Sequence, residues 1–110
     1  MTTADRLRAL ALALEGTVAA PHFDRTAFKV ARTYATLAAD GATANLNLAP
    51  DEQSLKCLTH PAAFAPVPNA WGRAGWTTAT LAALTDDELA AALETAWRHA
   101  LPRPKPRRAR

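Results

Sequence analysis

The C-terminal part of the chain contains the pattern that most restricts its fold, an amphipathic helix with clear start and stop signals. Thr85 and Glu88 have the spacing of a capping box, and Leu84 and Leu89 have that of a hydrophobic staple. Pro102 ends the pattern. Because a helix with one apolar face buries that face against another layer, the fold needs a second layer. The apolar face consists of Leu89, Leu93, Ala96, Trp97 and Ala100.

Alternating hydrophobicity predicts that the second layer is a sheet. Residues 43–48 alternate cleanly, with leucines pointing inward and asparagines outward, and the turn dipeptide Asp40-Gly41 precedes them. Residues 27–31 and 33–39 are also predicted to be strands. The three segments follow one another with short connections, which is typical of antiparallel strands.

Further elements complete the predicted order. Residues 5–14 are predicted to be helical, because alanine is the best helix former and a poor strand former. Pro50 begins a short helix that runs to about Leu58. An extended segment around Pro66 and a threonine-rich strand from Trp76 then precede the last helix. The fold class is therefore α+β, a two-layer sandwich with an antiparallel sheet of about five strands and helices on one face.

The basic charge of the chain lies at its C-terminal end. The net charge is +3, but residues 1–101 contain eight basic and ten acidic side chains. We predict one domain over residues 1–101 and a disordered Pro/Arg-rich tail over residues 102–110, because the alternating prolines favour an extended segment. The basic residues of the tail are Arg103, Lys105, Arg107, Arg108 and Arg110.

Several function classes have no support in the sequence. Cys57 is the single cysteine, which excludes an internal disulfide and a cysteine-based zinc site, and the three histidines lack metal-binding spacing. No apolar run approaches the about 20 residues that cross a membrane. No catalytic motif is present. We expect a cytoplasmic, non-enzymatic protein without metal or cofactor, and a catalytic site assembled from His22, Asn45 and Arg73 is a remote alternative.

Three segments resemble the MmcQ/YjbR family of small bacterial proteins: PHFDRTAFKV, ANLNLAPDEQ and NAWGRAGWTTATL. The most specific element is the WG-x-x-GW motif formed by Trp71, Gly72, Gly75 and Trp76, and the resemblance extends over residues 7–101. It implies an α-β-β-β-α-β-β-α sandwich with a shape like that of secretion chaperones. Many members of the family are labelled DNA-binding, and the resemblance supplies no catalytic residues.

The two tryptophans of the motif have two interpretations. They either pack in the core on both sides of a tight turn, or they expose an indole beside Arg73 that stacks on a flat ligand. The start of a strand at Trp76 favours the core for that residue, whereas both alternatives stay open for Trp71. Lys29 and Arg32 flank the first hairpin and either join Arg73 on one surface or belong to an ordinary polar strand face.

Two classes of function follow from these observations. The first is a nucleic-acid-binding module, in which DNA binding is weak, depends on the basic tail and decreases steeply with salt. The excess of acidic residues in 1–101 argues against a folded surface that grips DNA. The second is an adaptor that binds a protein or a small molecule through the Trp71–Trp76 loop.

Overall fold

The chain forms an antiparallel sheet with its first and last helices packed on one face. This arrangement confirms the predicted α+β sandwich. The computed structural model describes residues 1–102. Within that part, the strands are β1 (Val18–His22), β2 (Arg25–Lys29), β3 (Thr33–Leu37), β4 (Thr43–Asn47), β5 (Phe64–Pro66) and β6 (Trp76–Thr80). The helices are α1 (Ala4–Ala13), α2 (Pro50–Thr59), α3 (Ala70–Arg73) and α4 (Asp86–Ala100), and a 3-10 turn spans Leu81–Ala83.

The six strands lie in the order β1-β2-β3-β4-β6-β5, and every neighbouring pair is antiparallel. The two faces of this sheet differ sharply. On the inner face, which α1 and α4 cover, Ala44 and Leu46 of β4 and Thr77 and Ala79 of β6 are fully buried. The residues between them point to the opposite, outer face. This division follows from the period of two in a strand.

Helix α4 begins at the predicted capping box. The Oγ1 atom of Thr85 accepts a hydrogen bond of 3.1 Å from the backbone N–H of Glu88, and the Thr85 N–H donates one of 2.8 Å to the Glu88 carboxylate. The inward face of the helix packs on the sheet, with Leu89 and Leu93 fully buried. Trp97 lies at the border of the core, where its indole N–H donates to the carbonyl of Glu15 at 2.9 Å.

A sixth strand corrects the predicted count of about five. β1 contains Pro21, lies outside the predicted strands, and pairs with β2 in full register from Val18–Lys29 to His22–Arg25. β1 is an edge strand, and proline is tolerated there because the edge of a sheet does not require its missing N–H. Most of its side chains are exposed, so the strand shows no alternation of apolar and polar residues. The short helix α3 was also not predicted.

A β-bulge in β3 places a tyrosine in contact with α1. The register shifts between the pairs Phe28–Ala35 and Lys29–Thr33, so Tyr34 is an extra residue in β3. Its side chain is completely buried, its hydroxyl donates to the carbonyl of Ala11 at 3.3 Å, and it shares a hydrogen bond of 2.9 Å with Thr17. Burial raises the pKa of Tyr34. The bulge thus provides the contact that holds the end of α1 on the sheet.

The predictions about a membrane span and about the C-terminal tail concern different parts of the chain. None of the helices in residues 1–102 has both the length and the apolar character needed to span a bilayer. Pro102 follows α4 as an exposed residue. The predicted disorder of the basic tail concerns residues 103–110, which lie outside the described part of the chain.

The capping box makes a testable contribution to stability. We expect Thr85→Ala to lower the free energy of unfolding by about 1 kcal/mol, because the substitution leaves the Glu88 N–H without its acceptor. Thr95→Ala in the same helix is the matched control, since the Thr95 hydroxyl donates only to the Ala91 carbonyl and the cap stays intact. Urea unfolding measures both variants. An equal loss in both would contradict the assigned role of the cap.

The same cap predicts a dependence of stability on pH. The Thr85 backbone N–H, and to a smaller extent the Thr85 hydroxyl and His60, lower the pKa of Glu88 from its ordinary value of 4.5. Ionised Glu88 therefore stabilises the fold above pH 4.5, and this contribution is lost as the pH falls through the lowered pKa. We expect Glu88→Gln to be less stable than the parent at about pH 7 and the difference to shrink at about pH 3. A difference that stays constant with pH would exclude this role for the carboxylate.

Candidate functional site

The glycines of the WG-x-x-GW motif permit two close backbone contacts. A Cβ atom on Gly72 would lie 1.8 Å from the carbonyl oxygen of Val67, and one on Gly75 would lie 1.8 Å from the carbonyl oxygen of Leu48. Gly75 also has a φ of +115°, which side chains disfavour. The motif therefore packs α3 against the segments that follow β4 and β5, and its glycines have a structural role.

Side-chain hydrogen bonds fix the loop that this packing creates. The Nε2 atom of Gln53, a buried residue of α2, donates to the carbonyls of Gly72 and Trp76 at 2.9 and 3.0 Å. The Oδ1 atom of Asn69 accepts from the backbone N–H of Trp71 at 2.9 Å and so begins α3. The backbone on both sides of the tryptophans is therefore held in place independently of the tryptophan rings.

The two tryptophan rings lie at the outer face of the sheet. Trp71 is 59% exposed, and its ring meets that of Trp76 edge to face, with the centroids 6.3 Å apart. The expectation that Trp76 is a core residue is wrong. In β6 the inward positions belong to Thr77 and Ala79, so the period of two turns Trp76 outward, where it is half-buried against Trp71.

These rings form one wall of a cavity that we call the trough. It has a volume of about 240 Å³ and lies on the outer face, where residues from β1, β2, β3, β4 and β6 meet. That volume suits a single flat ring system, since sites for larger ligands span about 300–1,000 Å³. The lining residues are His22, Arg25, Thr36, Asn45, Val67, Trp71 and Trp76.

The floor of the trough presents hydrogen-bond donors. The Nε and Nη2 atoms of Arg25 donate to the side chain and the carbonyl of Thr36 at 2.9 and 3.1 Å, which fixes the guanidinium and leaves Nη1 unused. The Thr78 hydroxyl donates to Oδ1 of Asn45 at 2.9 Å, so the Asn45 amide N–H groups remain for a ligand. No Asp or Glu is among the lining residues. This arrangement favours a ligand that is rich in acceptors or negatively charged.

A second aromatic pair lies at the turn between β1 and β2, next to the trough. The ring of Phe23 meets that of His22 edge to face, with the centroids 4.9 Å apart. Phe23 is 94% exposed, the highest value among the large apolar side chains of residues 1–102. His22 of β1 and Trp71 of α3 both line the trough, whereas Phe23 is not among the lining residues.

The predicted basic residues of the folded part lie outside the trough lining. Arg73 is exposed at the end of α3, outside the trough lining, and has no hydrogen bond or ion pair with residues 1–102. Lys29 lies at the far end of β2, about 13 Å along the strand from Arg25. Arg32 donates to the carbonyl of His99 at 2.7 Å, at the end of α4. The five predicted tail residues, Arg103, Lys105, Arg107, Arg108 and Arg110, lie outside the described part.

Sequence reasoning missed three members of the trough: Arg25, Thr36 and Val67. The outward position of Asn45 was predicted, and the strand pairing Thr36–Asn45 shows that the same periodicity could have found Thr36. Of the remote catalytic set, His22 and Asn45 line the trough and Arg73 does not. Residues 1–102 contain no group of three or more His, Cys, Asp or Glu side chains arranged to hold a metal ion.

Comparison with known proteins places the fold and its WG-x-x-GW loop in a family. The model of the YjbR family matches residues 12–99. The chain belongs to the YjbR family. Its fold is similar to the crystal structure of the Deinococcus radiodurans protein DR2400, a DUF419 domain, with a TM-score of 0.74 and 24% sequence identity over 87% of this chain and 76% of that one. None of the curated proteins matches the sequence.

The glycine contacts of this YjbR-family loop lead to a prediction. We expect Gly72→Ala to lower the free energy of unfolding by about 3 kcal/mol or more, because the new methyl group would collide with the rigid Val67 carbonyl. Ala74→Gly is the control, since Ala74 is exposed, has a right-handed φ of −82°, and its change costs below about 1 kcal/mol. Chemical unfolding followed by tryptophan fluorescence measures both. A Gly72→Ala protein of near-parental stability would contradict the close packing.

Proposed function

We propose that this YjbR-family chain is a non-enzymatic protein that binds single-stranded DNA, with one unpaired base held in the trough. The observation that carries the proposal is that the exposed indole of Trp71 and the fixed guanidinium of Arg25 line the same cavity. The indole supplies a flat surface for a base, and the guanidinium supplies a charged donor for a base oxygen or a phosphate. The basic tail adds contacts to neighbouring phosphates.

Stacking explains why a large aromatic ring is left in solvent. Trp71 is 59% exposed although its backbone is fixed by the Asn69 cap and by the packing of Gly72. Burial of an indole normally favours folding. An exposed ring on a fixed loop contributes less to folding, and binding of a ligand is a reason for its position. Stacking of a base on an aromatic ring is worth about 1–3 kcal/mol.

The size and the donors of the trough favour an unpaired base over a duplex. The cavity of about 240 Å³ takes one ring system, and the bases of a duplex are stacked on one another and cannot enter it. The N–H groups of Arg25 and Asn45 that remain unused match the ring nitrogens and carbonyl oxygens of a base. The proposal is therefore narrower than general DNA binding.

The lining of the trough also supports binding rather than catalysis. Its titratable side chains are the imidazole of His22 and the guanidinium of Arg25. General acid–base catalysis usually pairs such an imidazole with a carboxylate that orients it, and the lining supplies none. The Arg25 guanidinium instead suits the recognition of negative charge.

The distribution of charge assigns different roles to the trough and the tail. Residues 1–101 carry two more acidic than basic side chains, so the net charge of the folded part repels DNA weakly at long range. The five basic residues of the tail supply the attraction without reading sequence. Neutralisation of five phosphates of a single strand gives a log-log salt slope of about −3.5.

An adaptor that binds a flat anionic small molecule is the second candidate, because the cavity holds a single ring system and needs no polymer. The two candidates differ in what the tail does. A DNA chain contacts both the trough and the tail, whereas a small molecule contacts the trough alone. Binding of a free mononucleotide therefore separates them.

Fluorescence anisotropy of a short labelled oligothymidylate tests the proposal. We expect Trp71→Ala to weaken binding by about tenfold or more, since it removes the stacking surface. Leu58→Ala is the matched control, because Leu58 is a 79% exposed apolar residue of α2 outside the trough lining. In the full chain, replacement of the five basic tail residues by serine is expected to reduce the salt slope and to leave the effect of Trp71→Ala unchanged.

Three results would contradict the proposal. Absence of binding at low salt would exclude DNA as the ligand. Binding that depends on the tail and not on Trp71 would exclude the trough as the site. Equal affinity for thymidine monophosphate and the oligonucleotide, with no effect of the tail, would favour the small-molecule adaptor.

A further inference from the structure

We infer that Phe23, beside the trough, is a second stacking residue for the DNA strand whose base the trough holds. This inference rests on the proposed function and adds a residue and a binding mode to it. It is carried by the position of Phe23, by its backbone conformation and by its exposure.

The position of Phe23 places its ring next to the trough. Phe23 and Asp24 form the two-residue turn between the paired residues His22 and Arg25. The Phe23 ring lies with its centroid 4.9 Å from that of His22, and both His22 and Arg25 line the trough. A strand with one base in the trough therefore passes close to a second aromatic ring.

The backbone at Phe23 is strained. Its φ is +56°, in a region that glycine and asparagine adopt readily and a bulky side chain does not. Among residues 1–102, the non-glycine residues with positive φ are Phe23 and Asn69. Asn69 precedes Trp71 by two residues, so both positions flank the walls of the trough. Asn69 has a φ of 89° and a ψ of −165°, a region that is essentially restricted to glycine, so residue type relieves the strain at neither position.

Packing does not explain the phenylalanine either. Its side chain is 94% exposed, and its ring contact within residues 1–102 is the edge-to-face pair with His22. A glycine at this position would form the turn without strain and without an exposed apolar ring. The fold thus gains little from the ring, whereas a base that stacks on it gains contact area.

Four full-length variants test this inference with the labelled oligothymidylate and with thermal unfolding. We expect Phe23→Gly to weaken binding about tenfold and at the same time to raise the melting temperature, because it removes both the ring and the strain. Phe23→Tyr keeps an aromatic ring and is expected to bind within about twofold of the parent. Phe23→Leu keeps an apolar side chain without an aromatic face and is expected to resemble Phe23→Gly in binding. Trp71→Ala reports on the trough itself.

The results separate this inference from the proposed function. If Phe23→Gly binds like the parent while Trp71→Ala is impaired, Phe23 is not part of the site and the proposed function stands. If Phe23→Leu binds like the parent, the contact is apolar and not stacking, and the inference is overturned. If the parent protein does not bind the oligonucleotide, the proposed function and the inference both fail.

Discussion

The candidate site depends on two close backbone–backbone contacts that only glycine permits. Gly72 lies against the Val67 carbonyl and Gly75 against the Leu48 carbonyl, so closely that a methyl group fits at neither position. The amide of Gln53 then links the carbonyl of Gly72 to that of Trp76. Because these contacts belong to the backbone, the loop is rigid without using its indoles for packing. Trp71 can therefore stay exposed in a fixed position, which is what a preformed binding surface requires.

Side chains on the two faces of the sheet make different kinds of contact. On the inner face, small residues such as Ala35, Ala44 and Ala79 allow α1 and α4 to pack closely, and the buried leucines of α4 supply much of the apolar area. On the outer face, polar side chains bind one another, as Arg25 does with Thr36. What remains unsatisfied there is aromatic surface and a few N–H groups. Their collection in one cavity is the physical reason to look for a ligand at that place.

Local patterns predicted much of the fold and less of the site. The capping box at Thr85 is specified within four residues, and the structure contains both of its hydrogen bonds. β1 was not predicted, because an exposed edge strand with Pro21 shows no alternation of apolar and polar residues. Trp76 was misplaced because the side of a strand on which a residue lies depends on the pairing of β4 with β6. Arg25 joins the site through the β1–β2 turn, a contact that only the three-dimensional pairing creates.

The rigidity of the trough and the distribution of charge along the chain support different roles for the trough and the tail in the proposed binding. A rigid cavity that admits one ring gains little affinity from a single base, since about 1–3 kcal/mol of stacking corresponds to weak binding. The acidic excess of residues 1–101 lowers the affinity for a polyanion further. Under the proposed function, a segment with five basic residues on the same chain would raise the local concentration of DNA at the trough, and its contribution would fall with salt. In that proposal, Trp71 and its neighbours select an unpaired base, and the tail attracts the strand.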